Sequence, residues 1–431
     1  MNNSKAEYRN GWFWVPSLYL AEGIPYMLVM FVSTVMYKNL DISNSEITFY
    51  TGLLYLPWVI KPIWSPFIDN IRTKRFWIVL MQSTIFIGLI GIVLSLNLSS
   101  FFLITLIFFY LIAFSSATHD IAADGFYMLA LNQHDQSLFV GIRSTFYRLA
   151  MIFCQGGLVI LSGLFEKEFK DFSFSWILTF SITALFFIGF TFYHKIILPF
   201  PASDEIRIKK NFSEIGGSFI DTFISFLKKK QVVIFILFIL LYRLGEGQLA
   251  KIAPLFLLGS KSSGGLALDN ETVGFVYGTV GIIALMLGGI LGGVVCAKKG
   301  LKFWIWWMLI AINLPDLVYV YLSFIKPENI FMINAMIAIE QFGYGFGFTA
   351  FMMALIYISD GKYKTAHYAI ATGIMALGMM VPGMISGMIQ EAIGYQNFFI
   401  WVCISTIPAF VITKFLKIDP EFGKKTNVVT E

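Results

Sequence analysis

The sequence FFLITLIFFYLIAFSSATHDIAADGF, residues 101 to 126, decides the fold of this chain. It opens with an apolar run and ends with three ionisable residues, His119, Asp120 and Asp124. A helix of this length extends about 39 Å, which exceeds the ~30 Å hydrocarbon core of a bilayer. The stretch therefore predicts a membrane-spanning helix. Asp120 and Asp124 are four residues apart, so they lie on one face of that helix.

The composition extends this interpretation to the whole chain. Of its 431 residues, 57% are hydrophobic and only 13% are charged, which is about half the charged share of a soluble domain. Most apolar runs reach about twenty residues, the length that a membrane-spanning helix needs. We predict twelve such segments, at approximately 12–36, 46–67, 76–97, 101–126, 138–164, 174–196, 232–258, 272–296, 303–325, 329–358, 366–391 and 397–416.

Lysine and arginine are distributed unevenly over the connections between these segments. One set of connections is densely basic and carries Lys5, Arg9, Arg72, Lys74, Arg75, Lys195, the region from Arg207 to Lys230, Lys298, Lys299, Lys302, Lys362, Lys364 and the region from Lys414 to Lys425. The other set carries only Lys38, Lys167, Lys170, Lys261 and Lys326. Because cytoplasmic loops are the basic ones, we expect a multi-pass protein of the cytoplasmic (inner) membrane with both termini in the cytoplasm. This distribution explains the net charge of +5 without a nucleic-acid partner.

One long connection, Leu198 to Gln231, divides the chain. Apolar residues recur in it at helical spacing, at Phe212, Ile215, Phe219, Phe223, Phe226 and Leu227. They predict an amphipathic helix on the inner membrane surface or, alternatively, a helix that binds a partner. The predicted domains are an N-terminal six-helix bundle (1–197), a cytoplasmic linker (198–231) and a C-terminal six-helix bundle (232–431).

The two halves of the chain repeat three short patterns in the same order. The matched pairs are Glu22-Gly23 with Glu246-Gly247, Arg75-Phe76-Trp77 with Lys302-Phe303-Trp304, and Asp124-Gly125 with Asp360-Gly361. Their offsets are 224, 227 and 236 residues, and they rise as small insertions would make them. The repeat predicts an all-α polytopic membrane protein with twelve transmembrane helices in two pseudo-symmetric six-helix bundles.

Two such bundles joined by a cytoplasmic loop resemble the major facilitator superfamily. Three stretches are similar to the branch that holds AmpG-type muropeptide permeases and acetyl-coenzyme A transporters: LAEGIPY at 20–26, LPWVIKPIWSPFID at 56–69 and HDIAADG at 119–125. The resemblance implies a proton-coupled importer or exchanger of sugar-containing or nucleotide-like anions. It also implies that the first, fourth, seventh and tenth helices line a central cavity. The chain departs from the branch pattern at Glu22 and His119.

Ionisable residues inside apolar segments are functional candidates, because each costs roughly 2.5 to 3.5 kcal/mol to insert into a bilayer. The predicted substrate-binding residues are Arg243, Glu246, Arg148, Glu340, Gln341, Tyr26 and Trp58. Arg243 comes first, with Arg148 or Lys251 as a helper, since a guanidinium is a planar fork suited to carboxylate or phosphate. The structural alternative is an ion pair between helices, either Glu22 with Arg148 or Glu246 with Arg243.

Proton coupling is assigned first to Glu22, with Asp120 and His119 as a relay towards the cytoplasm. Burial disfavours the charged form of a carboxylate, so a buried glutamate can take up the coupling proton. The repeat would bring Glu22 and Glu246 to opposite walls of one cavity, whereas Asp316 in the ninth segment is not expected to face it.

A cytoplasmic gate is the prediction for the end of the fourth helix. Counted from Phe101, Asp120 is about 27 to 29 Å along that helix, near the cytoplasmic interface. Asp124 has a repeat mate in Asp360, where the tenth segment leaves the membrane. The predicted gate residues are Asp124, Asp360, Asp69, Arg72 and Arg143.

Two other classes of protein compete with the transporter. A polytopic acyltransferase would use His119 and Asp120 as its base, although no nucleophile elbow or phosphate cradle accompanies them. A receptor or scaffold would have no reason to bear the insertion cost of buried charges. The substrate is left open among muropeptides, acyl-nucleotides and peptide-like molecules. The expected partners are the bilayer, a small solute and a coupling ion, for which we expect a proton.

Cofactors and metals are not predicted. Cys154, Cys296 and Cys403 stand far apart in separate apolar runs, without metal-ligand spacing. We expect buried free thiols and a monomeric protein.

Overall fold

The computed structural model describes residues 9–204, 221–361 and 364–424, without the side chains of Pro66, Asp69, Asn70, Gln133, His134, Ser137, Val140 and Thr365. The regular structure in these ranges is helical. The α-helices are α1 (Val15–Met27), α2 (Ser33–Asn39), α3 (Asn44–Leu53), α4 (Leu56–Asn70), α5 (Lys74–Ser95), α6 (Phe101–Ala130), α7 (Gln133–Met151), α8 (Val159–Phe169), α9 (Phe172–Ile197), α10 (described over 221–227), α11 (Val232–Leu241), α12 (Leu244–Leu258), α13 (Asn270–Val273), α14 (Ile282–Lys299), α15 (Leu301–Asn313), α16 (Leu317–Ile325), α17 (Ile330–Ser359), α18 (Lys364–Ser405) and α19 (Ile407–Thr413).

Ten helical stretches in the described part of the chain are long and apolar enough to cross a membrane. One of them, Ala366–Thr413, covers the last two predicted segments, and the chain turns inside it at Gly394, where φ is 77°. The second predicted segment is not among the ten because the structure divides it into α3 and α4. Helix is therefore present in each of the twelve predicted segments, and twelve crossings remain a prediction.

Proline accounts for some of the helix interruptions but not for all of them. Pro57, in the first turn of α4, has no N–H to donate to Leu53, and α3 ends there. A second interruption, at residues 242–243 between α11 and α12, contains no proline. Wider π-helical turns join α1 to α2 at Leu28–Val32 and α7 to α8 at Ile152–Leu158.

The described residues form two compact units. Unit 1 comprises 9–42, 54–204 and 269–274. Its core is rich in aromatic residues, among them Trp14, Tyr19 and Phe126, and the rings of Trp14 and Phe126 meet edge to face with centroids 5.3 Å apart. Segment 269–274 is held in this unit by Asn270, whose amide donates to Asn39 Oδ1 at 2.7 Å and to Ser162 Oγ at 3.1 Å.

Unit 2 comprises 43–53, 221–268, 275–361 and 364–424. Its core includes Phe226 from the linker, which is fully buried, and the stacked rings of Tyr242 and Phe351. Segment 43–53 joins this unit through Asn44, whose amide donates to Gln390 Oε1 at 2.6 Å and to Tyr395 Oη at 2.9 Å. Each unit thus contains one short segment that belongs, in chain order, to the other half of the sequence.

The linker is described only in part. Phe212, Ile215 and Phe219, three of the six residues that predict its amphipathic helix, lie outside the described residues. In α10, Phe223 is exposed while Phe226 is buried in the unit 2 core. The described end of the linker therefore packs one of its apolar residues against protein.

Helix α14 approaches α17 closely because glycines line the contact. A Cβ at Gly288 would lie 2.1 Å from the carbonyl oxygen of Phe342, and one at Gly345 would lie 2.0 Å from that of Leu285. Backbone atoms cannot move aside as a flexible side chain can. These helices therefore depend on the absence of side chains at both positions.

We predict that Gly288→Ala destabilises unit 2, since overpacking costs typically 1 to 3 kcal/mol. The measurement is the thermal melting temperature of the detergent-solubilised protein, which should fall by several degrees. Gly293→Ala is the matched control on the same helix, because a Cβ there meets no described atom within 4 Å. Equal melting temperatures for the two variants would contradict the proposed packing constraint.

Candidate functional site

Three carboxylates come together in unit 1. Glu22 lies on α1, and Asp120 and Asp124 lie on α6; one oxygen from each is within 4.8 Å of the others. Glu22 is 7% exposed, and its Oε2 is buried without a hydrogen-bond partner among the described residues. Like charges this close repel one another, so the cluster requires compensation.

Two basic residues provide compensation to the aspartates. Lys61 on α4 donates to Asp120 Oδ2. Arg143 on α7 pairs with Asp124 Oδ1 at 3.0 Å, and the hydroxyl of Tyr19 donates to the same oxygen at 2.9 Å. The Arg143 guanidinium also lies over the Tyr19 ring, 4.7 Å from its centroid. Four helices of unit 1 therefore meet around one charge cluster.

The charges in this cluster do not balance while Glu22 is ionised. Three carboxylates face two cations, and Glu22 has no lysine, arginine or histidine nitrogen within 4.0 Å in the described chain. A neutral Glu22 brings the sum to zero. The ion pair of Glu22 with Arg148 that the sequence suggested as an alternative is not formed.

His119 belongs to a different network from its neighbour Asp120. Its Nε2 lies 3.0 Å from the amide nitrogen of Gln82 on α5, and it is 1% exposed. Gln82 also contacts His194 Nδ1, and His194 Nε2 lies 3.0 Å from Ser17 Oγ. Consecutive helix positions point about 100° apart, so Asp120 meets α4 while His119 meets α5. The two side chains therefore have different hydrogen-bond partners, and their proposed relay stays a prediction.

A second group of three carboxylates lies in unit 2. Glu246 on α12, Asp316 at the end of the 3₁₀ turn Leu314–Asp316 and Glu340 on α17 place one oxygen each within 4.8 Å of the others. All three are buried, with 4%, 2% and 2% exposure. Glu340 Oε2 accepts hydrogen bonds from Tyr319 Oη at 3.4 Å and Gln341 Nε2 at 3.0 Å.

Arg243 stands beside this second cluster, at the interruption between α11 and α12. Its guanidinium donates to Tyr344 Oη and lies over the Phe348 ring, 4.8 Å from the centroid. Its Nε is buried and has no partner, and no described carboxylate oxygen lies within 4.0 Å of it. The ion pair with Glu246 that the sequence left open is therefore absent. Because α12 begins at the next residue, Arg243 also sits at the positive end of a helix dipole.

The other predicted binding residues take several positions. Tyr26 and Trp58 meet edge to face in unit 1, with ring centroids 5.1 Å apart. Arg148 is half-buried on α7 without an ion pair to a described carboxylate. Lys251 is 5% exposed and donates to Thr51 Oγ1 at 2.9 Å.

The predicted gate residues are only partly brought together. Asp124 pairs with Arg143, as described above. Asp360 has Lys364 as its cation, at 3.9 Å, and Arg72 is exposed, with its guanidinium over the Phe76 ring. The side chain of Asp69 lies outside the described residues. The gate assignment stays a prediction for the remaining pairs.

Sequence reasoning missed two members of these clusters. Lys61 stands inside an apolar segment, and the criterion that selected Glu22, a charge within such a segment, would have selected it too. Asp316 was set aside because the ninth helix was not expected to face the site. The sequence therefore did not group Asp316 with Glu246 and Glu340. In the structure, one carboxylate oxygen of each of the three residues lies within 4.8 Å of the others.

Comparison with known proteins agrees with this architecture. The sequence profile of the Major Facilitator Superfamily matches residues 17–387. The chain belongs to this superfamily. A Rickettsia conorii protein named "Putative transporter AmpG 4" is 24% identical, over 92% of this chain and 94% of that protein. The Rickettsia felis protein of the same name is 25% identical over 95% of each. The resemblance to AmpG-type transporters seen in the sequence is thus confirmed.

Solved structures of the superfamily share the fold. A point mutant of the nucleoside transporter NupG superposes with a TM-score of 0.71 at 15% identity, over 94% of this chain and 99% of the other. A D-xylose–proton symporter gives 0.67 at 11% identity, over 96% and 99%. At such identities the likeness shows the fold alone. The all-α major facilitator fold is confirmed, and the protein is a multi-pass membrane transporter.

We predict that Lys61 and Asp120 are energetically coupled. Lys61→Met leaves three carboxylates with one cation, while Lys61→Met combined with Asp120→Asn removes both charges together. The double-mutant cycle in unfolding free energy should give a coupling between about 0.5 and 3 kcal/mol.

The control for this cycle is the ion pair of Lys167 with Glu271, whose side chains are 52% and 41% exposed. Exposed pairs contribute at most about 1 kcal/mol. Unfolding is followed by tryptophan fluorescence in detergent. A coupling at Lys61 no larger than that of the control would argue against the cluster as a structural unit.

Proposed function

We propose that this protein is a proton-coupled secondary transporter that imports a small anionic, sugar-containing solute of the muropeptide kind across the cytoplasmic membrane by alternating access. Both termini lie in the cytoplasm, as the distribution of basic residues indicates. The proposal rests on the residues of the two clusters and on the kinds of molecule that the relatives are named for.

The observation that carries the proposal is that Arg243 is buried without an ion pair to a described carboxylate. A buried guanidinium without a carboxylate partner is costly, and this one also has an unpartnered Nε. Aromatic rings of Tyr344 and Phe348 surround it, which leaves its remaining donors for an anion. The N-terminus of α12 favours a negative charge at the same place.

Glu22 is the proposed proton carrier. It completes the charge balance of the unit 1 cluster only when protonated, and it has no cation of its own within 4.0 Å in the described chain. Asp120 and Asp124 are already paired with Lys61 and Arg143. A proton that enters down a membrane potential of 100 mV supplies about 2.3 kcal/mol for uptake.

The named relatives support the choice of solute. Two are named as AmpG transporters, and the structural neighbours are named for nucleosides and for D-xylose with protons. The edge-to-face pair of Tyr26 and Trp58 gives a sugar ring an aromatic surface in unit 1.

Arg243→Gln should lower uptake at least about tenfold, because a charge-assisted hydrogen bond contributes about 1.5 to 3 kcal/mol. Arg243→Lys should give an intermediate rate, since lysine keeps the charge and loses the planar fork. Uptake is measured as accumulation of radiolabelled muropeptide in proteoliposomes that are alkaline inside, with a neutral sugar and a nucleoside as competitors. Lys261→Gln, on an exposed loop, is the control. Unchanged accumulation in Arg243→Gln would remove the proposed anion site.

Glu22→Gln should abolish the dependence of uptake on the pH gradient while leaving exchange of internal for external solute. Glutamine keeps the shape of the side chain and mimics the neutral state, so it cannot carry a proton. The comparison is uptake with and without a gradient in the same vesicles. Glu168→Gln, an exposed residue of α8, serves as the matched control. Gradient-driven accumulation that survives in Glu22→Gln would assign the proton to another residue.

A further inference from the structure

The unit 2 carboxylates differ from those of unit 1 in lacking basic partners. Glu246, Asp316 and Glu340 have no lysine, arginine or histidine nitrogen within 4.0 Å in the described part of the chain. At an effective dielectric constant of 20, two unit charges 4 Å apart interact by about 4 kcal/mol. Three ionised carboxylates at this spacing would therefore repel one another strongly. No described side chain pairs with them at ion-pair distance to offset this repulsion.

Asp316 carries most of the unsatisfied oxygens of this cluster. The residue is 2% exposed, and neither of its carboxylate oxygens has a hydrogen-bond partner among the described residues. Glu246 Oε2 is likewise buried and unpartnered. A buried polar group without a partner costs roughly 1 to 3 kcal/mol. Three oxygens from two chain segments are thus left unsatisfied next to one another.

The backbone positions Asp316 for this role. It ends the 3₁₀ turn Leu314–Asp316, which separates α15 from α16 and includes Pro315. Proline cannot donate to the helical ladder, so the turn interrupts an otherwise apolar span. Tyr319 and Gln341 donate to the Glu340 carboxylate at its Oε2. One carboxylate is therefore held by the protein, while the other two present free oxygens.

We propose that Glu246, Asp316 and Glu340 form a binding site for a hard metal cation, sodium or calcium, with oxygen ligands. Hard cations prefer carboxylate and carbonyl oxygens, and the donor set contains no sulfur or nitrogen. Two oxygens on opposite sides of an ion, each ~2.4 Å away, are about 4.8 Å apart. The spacing of the three carboxylates agrees with that geometry.

The site also bears on the proposed anion site, and this part of the inference rests on the proposed function. Glu246 follows Arg243 by one helical turn, in the first turn of α12. An ionised Glu246 repels an anion at Arg243, and a cation bound to the three carboxylates reduces that repulsion. Cation and anion should therefore bind cooperatively.

The test is cation-dependent stability of the full-length protein in detergent at pH 8. Sodium chloride, calcium chloride and choline chloride are compared at constant ionic strength. Either sodium or calcium should raise the melting temperature saturably, by roughly 2 to 4 °C at high occupancy, because a ligand that binds only the folded state stabilises it. The salt that raises the melting temperature shows whether the site binds sodium or calcium.

Asp316→Asn should abolish the shift, since it removes an anionic ligand while it keeps the shape. Glu328→Gln, which changes an exposed carboxylate paired with Lys261, should keep the shift. A direct measurement with radioactive sodium or calcium on the same preparations replaces the melting curve if Asp316→Asn alters the basal stability. Binding should fall at least about tenfold in that variant.

Three results would overturn the proposal. The first is a melting temperature that is the same in sodium, calcium and choline. The second is an equal shift in the wild type and Asp316→Asn. The third is a stability that depends on pH alone, which would assign protons to the carboxylates. Because no solute is used, a failure of muropeptide uptake leaves this test unaffected, and a failed cation test leaves the uptake experiments standing.

Discussion

Charge compensation inside apolar helices constrains the whole of this structure. An ionised side chain removed from water must find an opposite charge, a hydrogen bond or a proton. In unit 1 the pairs of Lys61 with Asp120 and Arg143 with Asp124 meet this demand. Since the partners come from α4, α6 and α7, the pairs also fix the faces that those helices turn towards one another.

The repeat within the sequence places a glutamate at an equivalent position in each of the two units. Glu22 and Glu246 are 224 residues apart in matching patterns, and each lies in a group of three carboxylates. The two groups differ in the basic residues that offset their negative charge. Unit 1 supplies two cations from its own chain, so one proton is enough to balance it. Unit 2 supplies none within ion-pair distance among its described residues, which makes an external cation the natural complement.

Much of the fold follows from the sequence because hydrophobic length is a local property. Each predicted apolar segment contains helix, and the superfamily resemblance agrees with the solved folds. The interruptions before α4 and α12 were not predicted. The interruption before α12 contains no proline, so no local residue signal marks its position in the sequence. The position of a charged residue along a segment gives its depth in the membrane but not the neighbouring helix that its side chain contacts. For that reason the sequence could place Glu22 and Glu246 in candidate sites but did not predict the contact of His119 with Gln82, and it set Asp316 aside.

The interruption at residues 242–243 brings a residue of each proposed site, Arg243 and Glu246, to the start of α12. It puts Arg243 just before α12 and Glu246 in the first turn, where the helix dipole favours negative charge. A solute anion and an ionised Glu246 would compete for that favourable potential. One turn is about 5.4 Å, and at an effective dielectric constant of 20 their repulsion is about 3 kcal/mol. A cation held by Glu246, Asp316 and Glu340 lowers the negative charge of this cluster and so weakens the repulsion. A continuous helix would bury the amide groups of that first turn in its own hydrogen bonds, so the interruption is what allows one short stretch of backbone to serve both ions.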